Sequence, residues 1–215
     1  MKRMFWLGLW AVLAANQVMA QTDGIYFDGG VKGWYAEPKV TDRALMYGPS
    51  AALSVGDQYW VRGFYLYGQY DYVRSSQPRR VQEFGIHDAE LVAGMNWDVF
   101  HFGLGLRSMT VLIEEDGDPA PIVRRPNALG PVLAVGASQS LAEWPWGFEG
   151  SPWGWFAGVS WMFQDFESND GEHLNVEAGI THTSHGLYKS LGYRFKETFD
   201  HEPMEGFTAT LMFAF

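Results

Sequence analysis

Apolar residues in this 215-residue chain alternate with polar or small ones in segments of about ten residues, and a period of two is the signature of strands with one buried face. Across 206–215, Phe207, Ala209, Leu211, Phe213 and Phe215 share one side, with Thr208, Thr210, Met212 and Ala214 on the other. Phe100, Phe102, Leu104 and Leu106 stand against His101, Gly103, Gly105 and Arg107. Trp155, Ala157, Val159, Trp161 and Phe163 stand against Gly158, Ser160, Met162 and Gln164. Leu174, Val176, Ala178 and Ile180 stand against Asn175, Glu177 and Gly179. The pattern predicts ten strands, at about 24–36, 45–56, 58–73, 85–96, 99–114, 128–141, 153–166, 173–183, 187–197 and 205–215.

The links between segments alternate in length. Tight ones (Gly56-Asp57-Gln58, Asn96-Trp97-Asp98, Ser184-His185-Gly186) take turns with longer polar ones near 37–44, 74–84, 115–127, 167–172 and 198–204. An antiparallel meander with short turns at one end and long loops at the other is the plan of a transmembrane barrel. The expected fold is therefore all-β: a single antiparallel up-and-down transmembrane β-barrel of ten strands. Residues 142–152, AEWPWGFEGSP, place a long link where a short turn belongs, which leaves eight strands as the alternative. No stretch offers the ~18 unbroken apolar residues of a spanning helix. The longest uncharged run, 126–142, is broken by Gly130, Pro131, Gly136, Ser138 and Ser140.

Composition removes other classes. At 19% charged and 16% aromatic residues, neither a disordered chain nor a charge-laced coiled coil fits. Lys and Arg number 15 against 25 Asp and Glu, which argues against a nucleic-acid partner, since phosphate neutralisation needs a basic surface. The absence of Cys excludes disulfide scaffolds, Cys-ligated metals and cysteine nucleophiles. A mean hydropathy of -0.15 has the look of a soluble protein, but polar inward side chains and wet loops would average an outward apolar band down to such a value. The first twenty residues, MKRMFWLGLWAVLAANQVMA, carry Lys2 and Arg3, an apolar stretch over 5–15 and the ending Val18-Met19-Ala20. This predicts a cleaved signal peptide over 1–20, too short in its apolar part for the ~20 residues of an anchor, and an exported barrel over 21–215.

Aromatic residues crowd the ends of the predicted strands, as in Trp144, Trp146, Trp153 and Trp155 or Tyr65, Tyr67, Tyr70 and Tyr72. The chain closes on FTATLMFAF. This ending resembles the terminal strand of small bacterial outer-membrane β-barrel proteins. The resemblance implies the outer membrane of a Gram-negative bacterium, with membrane lipid and lipopolysaccharide as surroundings. It also implies that Phe207, Leu211, Phe213 and Phe215 form the signal read by the barrel-insertion machinery. A soluble lipocalin-like or other closed barrel is the alternative.

If the apolar sides face lipid, Asp28, Lys32, Arg62, Glu90, His101, Arg107, Glu177, Arg194 and Lys196 face inward. The facing of Arg62 is open, because 58–73 is aromatic on both sides. A barrel of eight to ten strands is about filled by its own side chains, and buried charges persist only when paired. The expectation is a lumen plugged by salt bridges. A narrow pore, or a lateral path beside Pro131, Pro145 and Pro152, is the alternative.

His182-Thr183-Ser184 with Glu205 resembles the His-x-Ser…Glu arrangement of the lipid A 3-O-deacylase barrels, and His-x-Ser is similar to a motif of the outer-membrane phospholipase. Carried over, Ser184 would be the nucleophile, His182 the base and Glu205 the orienting acid. The predicted topology opposes this: His182 and Ser184 fall at a tight turn, while Glu205 lies at the other end of the barrel, roughly 30 Å away along an intervening strand. His185 also stands where those motifs carry Asn. His87, Asp88 and Glu90, or Glu114, Glu115, Asp116 and Asp118, could offer oxygen ligands to a divalent cation, although solvated loop charge is the commoner meaning of the second group. Arg79-Arg80 and Arg124-Arg125 suit lipopolysaccharide phosphates or plain surface charge equally. Gly136, Gly147, Gly150 and Gly154 form no phosphate-binding fingerprint. No metal or cofactor is expected. The reading is a non-enzymatic envelope protein of structural or surface-interaction type. A narrow or lateral channel for small or apolar molecules, and a lipid A or phospholipid hydrolase using His182 and Ser184, are the alternatives.

Overall fold

The computed structural model describes residues 24–38, 44–73, 81–115, 122–124, 127–143, 149–163, 173–198 and 201–215; the expected signal peptide lies outside them. Ten strands form the wall: β1 (Ile25–Pro38), β2 (Ala44–Val55), β3 (Tyr59–Val73), β4 (Val81–Trp97), β5 (Phe100–Glu115), β6 (Asn127–Ser140), β7 (Trp153–Met162), β8 (His173–Ser184), β9 (Leu187–Thr198) and β10 (His201–Ala214). Each pairs antiparallel with the next in sequence, and β1 pairs with β10 from Asp28↔Ala214 to Pro38↔Met204, so the wall closes. The fold is a ten-stranded antiparallel up-and-down β-barrel. Closure leaves no unpaired edge, which is what allows a sheet to lie in hydrocarbon.

The count of ten rests on residues 142–152. Val132 to Ser140 on β6 stand opposite Met162 to Gly154 on β7, so the long link joins neighbouring strands and both belong to the wall. A short 3-10 turn, Leu141–Glu143, begins it. Several strands run further than alternation predicts. β4 starts at Val81 and β10 at His201, and a three-residue strand, Ile122–Arg124, folds back onto Ile113 to Glu115 of β5. These ends carry polar residues such as Gln82, Glu83, Glu114 and Glu115, which read as loop. Ladder hydrogen bonds are made by the backbone and do not require the side chains to alternate.

The turn between β8 and β9 shows how local chemistry sets the register. His185 and Gly186 have φ of 51° and 73°, the two left-handed positions of a type I′ hairpin turn, and Ser184 pairs with Leu187 across it. The wall is continuous where a lateral path was considered. Pro131 lies opposite Leu106 in the β5 ladder and its carbonyl accepts Phe163 N–H at 3.0 Å, while the Pro152 carbonyl accepts Thr183 N–H at 2.8 Å. Pro145 lies outside the described residues. Between Tyr47↔Tyr67 and Ser50↔Phe64 the β2–β3 ladder skips Gly48 and Pro49, since Pro49 has no N–H to donate.

Leu104, Leu91 and Leu106 point outward with 69%, 59% and 58% of their surface exposed, and Val31, Leu133, Val159, Ile180 and Leu191 continue this apolar band around the barrel. Tyr26, Tyr59, Trp97, Phe100 and Trp153 ring the short-turn end, and Tyr47, Tyr65, Tyr193 and Phe207 ring the other. Within the second ring Phe207 lies opposite both Tyr35 and Tyr193. A water-soluble monomer rarely exposes a contiguous apolar patch beyond a few hundred Å². Lipid is the solvent this surface fits, and the aromatic rings fall where interfacial girdles belong.

Candidate functional site

The inward faces of β4, β5 and β9 meet in a buried charged cluster. Asp88 accepts Arg107 Nε at 2.8 Å and Nη2 at 2.7 Å, Lys196 Nζ at 2.9 Å and Arg194 Nη2 at 3.2 Å. Arg107 also lies 3.4 Å from Glu90, which accepts Ser160 Oγ at 3.2 Å. Asn175 joins the two halves, donating to Ser160 at 3.2 Å and accepting Arg194 Nε at 2.5 Å. The register explains one side of this contact. Glu90 stands directly opposite Arg107 on neighbouring strands, with Asp88 two residues along the same face of β4. Arg194 and Lys196, however, come from β9, so the ion pairs cross the bore.

Apolar side chains fill the lumen around and outward of this cluster. Trp34, Met46, Leu66, Ile86 and Met204 form one group, and Val92, Met109, Val132 and Met162 form another against Trp60. Arg194 lies on the Trp34 ring, 4.6 Å from its centroid, so apolar and charged layers share one contact. A second ion pair, Lys32 to Glu177 at 2.7 Å, is extended by Thr208 donating to Glu177 at 2.8 Å.

The half of the lumen toward the short turns is different. It holds a cavity of about 450 Å³ whose wall includes Asp28, Trp60, Arg62, His101, Phe156 and Tyr188. The expected side-chain plug is therefore present over the outer half only. Small residues make the space, among them Ser50, Ala52, Gly136 and Gly158. Trp60 reaches into it across Gly94 and Gly103; a Cβ at Gly103 would stand 2.7 Å from the Trp60 ring and 2.6 Å from Val92. His101 is held between Asn96 at 2.9 Å and Ser138 at 2.5 Å.

The structure places all nine residues singled out for the lumen on the inward side. It gathers Glu90, Arg107, Arg194 and Lys196 into one cluster and Lys32 with Glu177 into another, and leaves Asp28, Arg62 and His101 on the cavity wall. The open facing of Arg62 resolves inward, with its guanidinium 4.8 Å over Trp60. Sequence reasoning missed Asp88, Ser160 and Asn175 as members. Asp88 shares the parity of Glu90, which was the available signal, but beside His87 it read as a cation ligand.

That cation reading is corrected. Neighbours in a strand point to opposite faces, so His87 lies outside between Tyr65 and Tyr67 while Asp88 is inside. Among the described residues no group of three His, Asp or Glu could hold a metal. Glu114 and Glu115 fall on β5, not in a loop, and Arg124 falls in the short strand; Arg79, Arg80, Asp116, Asp118 and Arg125 lie outside the described residues. The structure does not bring His182, Ser184 and Glu205 together. His182 packs edge-on against Trp153 on the outer face and Ser184 ends β8, while Glu205 pairs with Glu37 at the opposite end of the barrel. Phe207, Leu211, Phe213 and Phe215 lie on the outer face, and Phe215 stacks on Phe27 across the seam, centroids 6.0 Å apart.

A closed wall, an apolar exterior banded by aromatic rings and an interior crossed by ion pairs define a transmembrane β-barrel of the bacterial outer-membrane type. No family model and no curated protein matches the chain. Among solved structures it is similar to the translocator domain of the autotransporter NalP from Neisseria meningitidis, with 11% identity, 99% of this chain and 96% of that one covered, and a TM-score of 0.46. It is also similar to Ail, the attachment invasion locus protein of Yersinia pestis (6% identity, 90% and 100% covered, TM-score 0.47), and to the beta domain of the Bordetella autotransporter BrkA (10% identity, 89% and 99% covered, TM-score 0.47).

Proposed function

We propose that the chain is a non-enzymatic outer-membrane protein of structural or surface-interaction type that does not conduct. The observation that carries this is the Asp88 cluster, which ties β4 and β5 to β9 across the bore. Buried, hydrogen-bonded charges of opposite sign hold a solute path shut, because a solute would have to replace every contact it broke. Its surroundings are membrane lipid and lipopolysaccharide, reached after export through the signal peptide over 1–20. The outward row Phe207, Leu211, Phe213 and Phe215 is what the insertion machinery engages. Planar-bilayer recording tests the reading: the folded barrel adds no conductance steps, and steady open steps from the unaltered protein overturn it.

The cavity favours a second reading, a narrow path entered from the short-turn side. It requires the Asp88 cluster to part, and in that case conductance rises when Asp88 is removed.

A further inference from the structure

Two opposite charges on the cavity wall are left over after the ion pairs of the lumen are assigned. Arg107, Arg194 and Lys196 all contact Asp88, Arg107 also meets Glu90, and Lys32 pairs with Glu177. Among the described residues, Arg62 has no carboxylate within 4 Å and Asp28 has no cation. Both line the cavity. Register puts them on one row: Asp28 is opposite Ala52, and Ala52 is opposite Arg62. Two strand spacings set their Cα atoms roughly 10 Å apart, with only the Ala52 methyl between them. An Arg side chain can span much of that gap, yet the guanidinium lies on Trp60.

We propose that this cavity binds a small zwitterion, its anionic group on Arg62, its cationic group at Asp28 and its apolar part against Trp60 and Phe156. A ligand of one charge would satisfy one wall residue and leave the other unpaired, whereas a zwitterion matches both. The aromatic faces offer the apolar contact that fixes a small molecule between two polar anchors. A volume of about 450 Å³ is ample for a molecule the size of an aromatic amino acid. The cluster at Asp88 closes the outward side, so the ligand enters from the short-turn end, the periplasmic side of a barrel in this orientation.

Titration calorimetry of the folded barrel in detergent micelles tests this with three probes of one shape: phenylalanine, 3-phenylpropionate without the ammonium, and phenethylamine without the carboxylate. None of the titrations depends on whether the bore conducts. Phenylalanine is expected to bind at least about tenfold tighter than either analogue, the low end for one charge-assisted hydrogen bond. Arg62→Gln should erase the advantage over phenethylamine, and Asp28→Asn the advantage over phenylpropionate. The comparison on the unaltered barrel decides even if a variant fails to fold. Phenylpropionate binding as tightly as phenylalanine would make this a plain anion site and overturn the proposal, as would phenethylamine binding as tightly or the absence of heat with all three.

Discussion

Arg107 and Asp88 meet through two parallel hydrogen bonds, Nε to Oδ1 and Nη2 to Oδ2, in a part of the bore where both side chains are all but fully buried. The same carboxylate serves Arg194 and Lys196. Asp88→Asn keeps the shape but removes the one carboxylate that contacts all three buried cations, leaving Arg107 its 3.4 Å contact with Glu90. Breaking a buried pair by removing one partner costs about 3–5 kcal/mol. The urea midpoint of the detergent-folded barrel should fall accordingly, and a midpoint equal to that of the unaltered protein would show the cluster to be energetically idle. Glu90→Gln, which loses a longer 3.4 Å contact, should cost less.

Leu104 separates lipid from water as the outer solvent. It is the most exposed leucine of the apolar band. In hydrocarbon Leu104→Arg costs about 2–4 kcal/mol near the midplane. In water an exposed substitution of this kind stays within about 0.5 kcal/mol. Folding titrations into lipid vesicles read the difference directly.

Gly103 and Trp60 form a fitted pair. Gly103→Val forces branched carbon into the Trp60 ring and Val92, an overpacking of about 1–3 kcal/mol. The penalty should shrink when Trp60→Ala is combined with it. Equal penalties in both backgrounds would mean that the inward glycine serves something other than this ring.

Ser184 terminates a strand at a hairpin turn, and Glu205 lies at the opposite end of the barrel. Ser184→Ala should leave both the folding midpoint and any turnover of lipid A or phospholipid unchanged. A loss of hydrolysis in that variant would restore the catalytic reading. At the same turn, His185→Gly places a residue suited to φ 51° and should stabilise the hairpin or leave it unchanged.

The sequence was most informative where a face is uniform. In β5, Phe100 to Leu106 against His101 to Arg107 gave both the strand and its two solvents, because lipid tolerates no polar interruption on its side. It was least informative at the lumen. Whether Asp88 is a metal ligand or an ion-pair centre depends on Arg194 and Lys196, which lie more than a hundred residues away and meet it only once the wall has closed. The cavity was equally hidden, since it depends on Ala52, Gly136 and Gly158 falling at one level of the bore. Strand ends with polar residues on both faces, as at Gln82-Glu83, could not be told from loops by alternation at all.

The seam between β1 and β10 has a consequence for assembly. Any arc of fewer strands would present two rows of unpaired N–H and C=O groups to hydrocarbon, each group costing several kcal/mol. The strand that begins the wall must therefore wait for the strand that ends it, joining residues as far apart in the chain as Asp28 and Ala214. Long-range closure of this kind is slow. Through that delay the apolar outer face of each strand stands uncovered, so the interval before closure is the one in which the chain is most prone to aggregate.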